Sequence, residues 1–104
     1  MPTPPQLTPA QRAAALAKST AARQVRAAIK ARVKAGDLSL SAILTLAVND
    51  EAIAKMRVVE LLESFAGVGK VRALSTLEKL NISPTRRIQG LGVSQRENLL
   101  KEFP

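Results

Sequence analysis

The sequence predicts an all-α fold, on three observations. Apolar residues recur at the three- and four-residue spacing of helices, and no strong run alternates with the two-residue period of strands. Residues that cap helices precede several of these apolar stripes. Glycines stand where helices would end or turn. The length of 104 residues suits one small domain with an appendage.

The first element is predicted to be a long basic helix over residues 9–36, preceded by a flexible N-terminal arm over residues 1–8. Thr8, a proline at the next position and Gln11 form a capping-box pattern. Gly36 stands where a helix terminator belongs. The remaining residues, 37–104, are predicted to form a compact helical domain.

Basic and apolar residues occupy different faces of the long helix. The predicted apolar face contains Ala22, Val25, Ile29 and Val33, and the basic face contains Arg12, Arg23, Arg26, Lys30 and Lys34. No acid precedes Asp37. Like charges on neighbouring turns repel, which favours an anion-binding face over a merely solvated one. The apolar stripe is discontinuous before Val25, so we expect the first half of the helix to project beyond the core or to fray.

Short helices are predicted in the middle of the chain. Ser39 or Ser41 can cap the first of them, and Asn49 with Asp50 can cap the next. A third helix carries apolar residues at helical spacing and is predicted to run to Ala66.

The segment GVGKVRA, residues 67–73, does not match two familiar nucleotide-binding motifs. A P-loop needs a glycine where Ser64 stands and a hydroxyl residue where Val71 stands. A dinucleotide-binding fingerprint would follow a strand, and Arg72 breaks its glycine pattern.

The same segment predicts a tight link between two helices. Gly67 and Gly69 allow positive φ and a close backbone approach, and Val68 between them can enter the core. The next helix begins near Lys70, with predicted inward residues Val71, Leu74, Leu77 and Leu80. Its amino-terminal N–H groups, flanked by Lys70 and Arg72, form a candidate anion site. A plain glycine-containing turn between helices is the alternative.

Two further turns precede the last helix. Arg86 and Arg87 lie between a Ser-Pro-Thr turn and a Gly-Leu-Gly turn, with Ile82, Ile88 and Leu91 as predicted anchors. Ser94 begins a second capping-box pattern, for a helix that would bury Leu99, Leu100 and Phe103.

Composition restricts the function of this chain. It has no cysteine and no histidine, so it can form no disulfide, no thiolate or imidazole metal site and no Ser-His-Asp or Cys-His catalytic arrangement. We expect no enzyme activity, no cofactor, no metal and no small-molecule substrate. The net charge of +8 indicates a polyanionic partner. No stretch is apolar enough for a membrane span or a signal peptide, so we expect a cytoplasmic protein without a membrane partner.

The order of helix, glycine hairpin, helix, two turns and helix resembles the helix-two turns-helix (helix-hairpin-helix-like) module, a reader of double-stranded nucleic acid. KMRVVELLES, GVGKVRA and PTRRIQGLG are similar to the actinobacterial integration host factor family, from about residue 6 to residue 103. The resemblance implies a nucleoid-associated protein that binds duplex DNA with little sequence preference and shapes or compacts the chromosome. It also implies a monomer in solution, with several copies on one DNA.

The resemblance also assigns roles to residues. Gly67, Gly69 and Lys70 would hold a backbone phosphate, Arg86 and Arg87 would lie at or in the minor groove, and the long basic helix would contact flanking backbone. Many members have arginine where this chain has Gln89, which can hydrogen-bond but carries no charge. The full set of predicted DNA-binding residues is Gly67, Gly69, Lys70, Arg72, Arg86, Arg87, Gln89, Arg23, Arg26, Lys30 and Lys34.

The alternative function is RNA binding. GVGKVRA followed by ISPTRR also resembles a structural protein in the head of the small ribosomal subunit. Such proteins carry a long basic carboxyl-terminal tail, whereas the basic helix of this chain lies at the other end, which favours DNA.

Overall fold

The computed structural model describes residues 7–103, and all regular secondary structure in that range is helical. The helices are α1 (Pro9–Lys34), α2 (Leu40–Ala47), α3 (Glu51–Ala54), α4 (Val58–Glu63), α5 (Lys70–Lys79) and α6 (Val93–Glu102), with a 3₁₀ turn at Ile88–Gly90. The predicted all-α class is confirmed, as is a long first helix followed by a compact helical domain. Most of the predicted arm, residues 1–6, lies outside the described residues.

Both ends of α1 are closed by the residues that the sequence indicated. The Thr8 hydroxyl accepts from the Gln11 N–H at 3.1 Å, and the Gln11 side chain accepts from the Thr8 N–H at 2.9 Å. Gly36 has φ +83°, and the N–H groups of Gly36 and Asp37 donate back to carbonyls of the last turn. This left-handed glycine ends the helix while the last carbonyls remain hydrogen-bonded.

Only the second half of α1 packs on the rest of the molecule. Ile29 and Val33 are buried and Val25 packs partly against the core, whereas residues 7–21 are all exposed. Leu16, in the middle of that exposed stretch, is 65% exposed. The prediction that the first half projects beyond the core is confirmed.

The next two helices also begin at predicted caps. Ser39 Oγ accepts from the Ala42 N–H at 3.2 Å, and Asp50 Oδ1 accepts from the first turn of α3. An acceptor at this position satisfies N–H groups that have no partner within the helix. These caps fix where the chain turns between α1 and α3.

A single apolar core joins the second half of α1 to the other helices. Its largest fully buried side chains are Leu40, Ile43, Met56, Val58, Leu61, Leu62, Leu77, Ile88 and Leu99. The two phenylalanine rings of the chain pack on each other, Phe65 and Phe103, with centroids 5.4 Å apart. Both aromatic rings are therefore used in packing. No helix among residues 7–103 is long and apolar enough to cross a membrane.

The predicted inward position of Val71 is wrong. Val71, expected to face inward, is 83% exposed, and the buried residues of α5 are Ala73 and Leu77. At about 100° per residue, Val71 lies on the far side of the helix from that pair. The small Ala73 lets α5 pack closely, the half-buried Leu80 packs against the core, and Leu74 is half-buried.

The start of α6 also differs from the prediction. Gly92, not Ser94, is the N-cap residue, and the Gln95 side chain accepts from its N–H at 2.9 Å. The Gln95 amide also donates to the Asn81 carbonyl at 3.1 Å. Gln95 thus ties the start of α6 to the turn after α5, which shifts the cap two residues earlier.

We predict that Ile88→Ala lowers the free energy of unfolding by about 2–5 kcal/mol, because it leaves a cavity under a fully buried side chain. Urea unfolding followed by circular dichroism measures the change. Leu16→Ala is the control, with an expected change below about 0.5 kcal/mol for an exposed position. Equal effects of the two variants would contradict the burial of Ile88.

Candidate nucleic-acid interface

The loop that carries Arg86 and Arg87 is pinned to the segment before α4. The Val58 N–H donates to the Arg86 carbonyl, and the Ile88 N–H donates to the Met56 carbonyl, both at 2.9 Å. These two bonds form an isolated antiparallel bridge between positions 57 and 87. Residues paired in this way, without bonds between themselves, have Cα atoms about 4.5 Å apart and neighbouring side chains.

The bridge therefore sets two arginines, Arg57 and Arg87, directly opposite each other. Both are exposed. Arg26 of α1 lines the same surface cleft, which is formed by Arg26, Lys55, Met56, Arg57, Glu60 and Arg87. We call it the arginine cleft. Like charges opposite each other in a β-pair destabilise it, so the fold itself gains nothing from this arrangement.

The other charged groups of the arginine cleft are already paired. Lys55 Nζ lies 2.6 Å from Glu51 Oε1, and the pKa of Glu51 is lowered by this hydrogen bond, by the charge of Lys55 and by that of Lys18. Glu60 is paired with Lys30. Within residues 7–103, no arginine takes part in an ion pair. The three arginines of the cleft thus have no carboxylate partner among residues 7–103.

The Arg86 side chain does not line the arginine cleft. Its Nη1 donates to the Gly90 carbonyl at 3.2 Å, so the side chain folds over the 3₁₀ turn. A Cβ atom added at Gly90 would lie 3.0 Å from Arg86 Cδ. Gly90 therefore leaves the space in which the exposed Arg86 side chain lies, and the two adjacent arginines present their charges in different directions.

The glycine hairpin needs a glycine at only one of its two positions. Gly67 has φ +78° in a turn closed by the Val68 N–H and the Phe65 carbonyl, at 3.1 Å. Val68 enters the core as predicted. The turn begins earlier than expected, because α4 ends at Glu63 rather than at Ala66.

Gly69 adopts an ordinary extended conformation, with φ −87°, and does not use the positive φ that glycine allows. A Cβ added there would meet nothing within 4 Å. Gly69 is the N-cap residue of α5, and no side chain caps this helix. Lys70 and Arg72 are exposed in its first turn, which contains no acid. The start of α5 thus offers free N–H groups, two cations and open space.

The last turns of α1 lie beside the same hairpin. Lys30, Ala31 and Lys34 line a second cleft together with the segment 63–68, which includes Gly67 and the acid Glu63. We call it the glycine cleft. Packing of α1 thus places Arg26 at the arginine cleft and Lys34 at the glycine cleft, eight residues apart on one helix.

Six predicted site residues line neither cleft: Gly69, Lys70 and Arg72 at the start of α5, Arg86 over the 3₁₀ turn, and Arg23 and Gln89. Arg23 is exposed on α1, one turn before Arg26. Gln89 lines a separate concavity that includes Val48, Asn49 and Arg96. The structure therefore brings Arg26 together with Arg87, and Lys30 and Lys34 together with Gly67, but leaves Gln89 apart from them.

The sequence prediction did not include Arg57 or the spatial role of Gly90. Arg57 meets Arg87 across an isolated bridge between two irregular segments, which leaves no periodic pattern in the sequence. The close approach of Gly90 to Arg86 had an indirect signal, the glycine in the motif PTRRIQGLG.

Known proteins share this architecture. A family model described as an S13-like H2TH domain matches residues 33–103. Integration host factors of Mycolicibacterium smegmatis, Mycobacterium tuberculosis and Streptomyces coelicolor are 52%, 50% and 50% identical to the chain over 99 residues. Each alignment covers 95% of this chain, and 94%, 94% and 92% of the respective relative. The chain belongs to the integration host factor family.

A solved structure of a family member, sIHF bound to an 8 bp palindromic DNA, has the same fold. Its TM-score to this chain is 0.81, at 45% sequence identity, and the match covers 84% of this chain and 98% of that one. The family and the helix-two turns-helix fold implied by the sequence resemblance are confirmed.

The two hairpin glycines of this family member should respond differently to substitution. We predict that Gly67→Ala lowers the free energy of unfolding by about 1–2 kcal/mol, because a Cβ is strained at positive φ. Gly69→Ala should cost less, since only its preference as an N-cap is lost. Urea unfolding of the two variants side by side measures the difference. A larger loss for Gly69→Ala would contradict the described turn.

Proposed function

We propose that this chain is a nucleoid-associated protein that binds duplex DNA through backbone phosphates and the minor groove, with little sequence preference, and that it shapes or compacts the chromosome. It would act by contacting DNA and changing its shape, without a catalytic step. The observation that carries the proposal is the arginine cleft, where Arg57 and Arg87 lie opposite each other and Arg26 adds a third charge.

The arginine cleft fits a polyanion on electrostatic grounds. Three exposed or half-exposed guanidinium groups repel one another, and no ion pair within residues 7–103 relieves them. A phosphate backbone would replace that repulsion by attraction and by charge-assisted hydrogen bonds. Arginine also suits a narrow minor groove, where it reads width rather than a full base code. Weak sequence preference follows.

The start of α5 supplies the second proposed contact. Its uncapped N–H groups and the positive end of the helix dipole favour an anion. Lys70 and Arg72 flank this point, and the missing side chain of Gly69 leaves room for a phosphate oxygen to approach the backbone. The turn itself does not require glycine at position 69. We therefore infer that DNA binding requires it, because a side chain there would obstruct the phosphate.

The α1 helix supplies the third proposed contact. Lys34 lies at the glycine cleft, and Arg23 continues the basic face toward the projecting half. Residues 9–21 would extend about 20 Å along the flanking duplex at ~1.5 Å per residue. Arg12 and Lys18 lie on that exposed part, where they can meet further phosphates.

Relatives support duplex DNA as the partner. The curated relatives are integration host factors, and sIHF is solved in complex with an 8 bp DNA. We further propose a monomer in solution, several copies on one DNA, and localisation to the nucleoid. Gln89 would add a hydrogen bond without charge from its separate concavity.

Structured RNA is the alternative ligand, since the matching family model is described as S13-like. The full-length agreement with integration host factors favours DNA. Competition for a labelled DNA duplex by unlabelled duplex DNA and by folded ribosomal RNA distinguishes the two: stronger competition by the RNA, per phosphate, would reverse the assignment.

Duplex binding should depend steeply on salt. With about five to seven phosphates neutralised, log K should fall with log salt at a slope of about −4.5 to −6. Fluorescence anisotropy with a 20 bp duplex between 50 and 200 mM salt measures it. Affinity that is independent of salt would overturn the proposed function.

The Arg57–Arg87 pair allows binding to be separated from stability. We predict that Arg57→Gln/Arg87→Gln reduces the magnitude of the salt slope by about 1–2 and weakens binding at least tenfold at 0.1 M salt. Stability in urea should stay constant or rise, because opposed like charges are removed. Lys79→Gln/Lys101→Gln is the matched control, with the same charge change in the last turns of α5 and α6, outside both clefts. Equal weakening by the control would refute the assignment of the arginine cleft.

A third variant tests the start of α5. Threonine is about as good an N-cap as glycine, so Gly69→Thr should fold with wild-type stability. Its side chain would occupy the open space and place an oxygen on the free N–H groups, so we expect at least tenfold weaker DNA binding. Gly92→Thr makes the same change at the N-cap of α6 and should bind as wild type. Unchanged binding by Gly69→Thr would remove this contact from the proposal.

A further inference from the structure

Glu60 is the acid of the arginine cleft, which it lines together with Arg26, Arg57 and Arg87. Its carboxylate does not pair with any of these arginines. It accepts instead from Lys30 Nζ at 2.5 Å, which joins α4 to α1. The two side chains are 37% and 38% exposed, so both charges are within reach of a ligand that occupies the cleft.

This ion pair contributes little to the fold. Half-exposed pairs stabilise proteins by about 0–1 kcal/mol. The nearby part of α1 is already held by Ile29 and Val33, whose side chains are buried in the core. Stability therefore does not account for the position of Glu60 among cations.

The pair interrupts a row of cations on α1. Arg26 lies one turn before Lys30, at the arginine cleft, and Lys34 lies one turn after it, at the glycine cleft. Lys30 itself lines the glycine cleft while its ammonium group contacts Glu60 of the arginine cleft. A backbone that crosses from one cleft to the other would meet a cation, a neutral pair and a second cation.

We infer that Glu60 is an intramolecular competitor of DNA phosphate for Lys30, so that Lys30 is a masked phosphate-binding residue. This inference rests on the proposed DNA-binding function. The paired Lys30 and Glu60 present no net charge to the duplex. DNA affinity is therefore lower than it would be if Lys30 were unpaired. Glu60 acts as a positioning residue: it acts on DNA binding through Lys30.

Three variants separate this role from a structural one. Glu60→Gln keeps the shape and unmasks a positive charge, Lys30→Gln leaves an unpaired negative charge, and the double variant is again neutral. We expect Glu60→Gln to bind a 20 bp duplex about three- to tenfold more tightly at 0.1 M salt, with a salt slope steeper by about 0.9. Lys30→Gln should bind several-fold more weakly. The double variant should return to within about twofold of wild type in affinity and to the wild-type slope.

Glu97→Gln is the matched control. It makes the same charge change at an exposed position of α6 that lines neither cleft. Charges farther from DNA than the Debye length of about 10 Å at 0.1 M salt are screened, so its affinity should stay within about twofold of wild type. Urea unfolding of every variant verifies folding. If Glu60→Gln is unstable, the comparison of Lys30→Gln with the double variant keeps the test valid, because masking predicts near-wild-type affinity for the double variant alone.

Two results would overturn the inference. If Glu60→Gln binds DNA no more tightly than Glu97→Gln, Glu60 does not compete with DNA phosphate for Lys30. A double variant as weak as Lys30→Gln would show that Lys30 already contacts phosphate despite its pair. Salt-independent binding by the wild type would instead mean that the proposed function itself fails. Wild-type binding with no gain in Glu60→Gln leaves the function in place and removes only the masking of Lys30.

Discussion

Two backbone hydrogen bonds, between Val58 and Arg86 and between Ile88 and Met56, hold the arginine cleft in place. They join segments about thirty residues apart that otherwise belong to different turns. The bridge aligns Arg57 with Arg87 and anchors Ile88 in the core beneath them. Without it, the arginine loop, which carries Arg86 and Arg87, would be an exposed connection with no fixed relation to α1 or α4. Repulsion between guanidinium groups is tolerated because backbone hydrogen bonds and a buried isoleucine outweigh it.

Packing of α1 determines which of its basic residues lie at the two clefts. One helix passes both clefts, so a single rigid element relates the arginine loop to the glycine hairpin. Two of the acids near the clefts are used in ion pairs: Glu51 neutralises Lys55, and Glu60 neutralises Lys30. The electrostatic surface is therefore set less by the number of basic residues than by which of them remain unpaired. A net charge read from composition overstates the charge available to a ligand.

Local features of the fold could be predicted because their causes lie within a few residues. The Thr8 cap and the Gly36 stop are examples, since each depends on neighbouring backbone groups. The inward assignment of Val71 failed because the first turn of α5 fits two helical faces, and only packing selects the one with Ala73. Arg57 was missed for a different reason: its partner is distant in sequence, and an isolated bridge leaves no repeating pattern. The glycine hairpin was predicted in part. The sequence indicated a turn, but it did not show that Gly67 and Gly69 have separate roles.

The unsupported first half of α1 has a thermodynamic consequence. Residues 9–21 are helical with little tertiary contact, and isolated helices of that length are marginal in water. A capping box and many alanines favour this segment, and its two bases, Arg12 and Lys18, are six residues apart, beyond the spacing at which like charges destabilise a helix. Its helix–coil equilibrium is therefore close to balance, and a ligand that binds the helical form would shift it. A polyanion that contacts these bases would shift that equilibrium toward helix, so that part of the free energy of association is spent on ordering. Ionic strength would then act on the contacts and, through them, on the conformation of the segment that makes them.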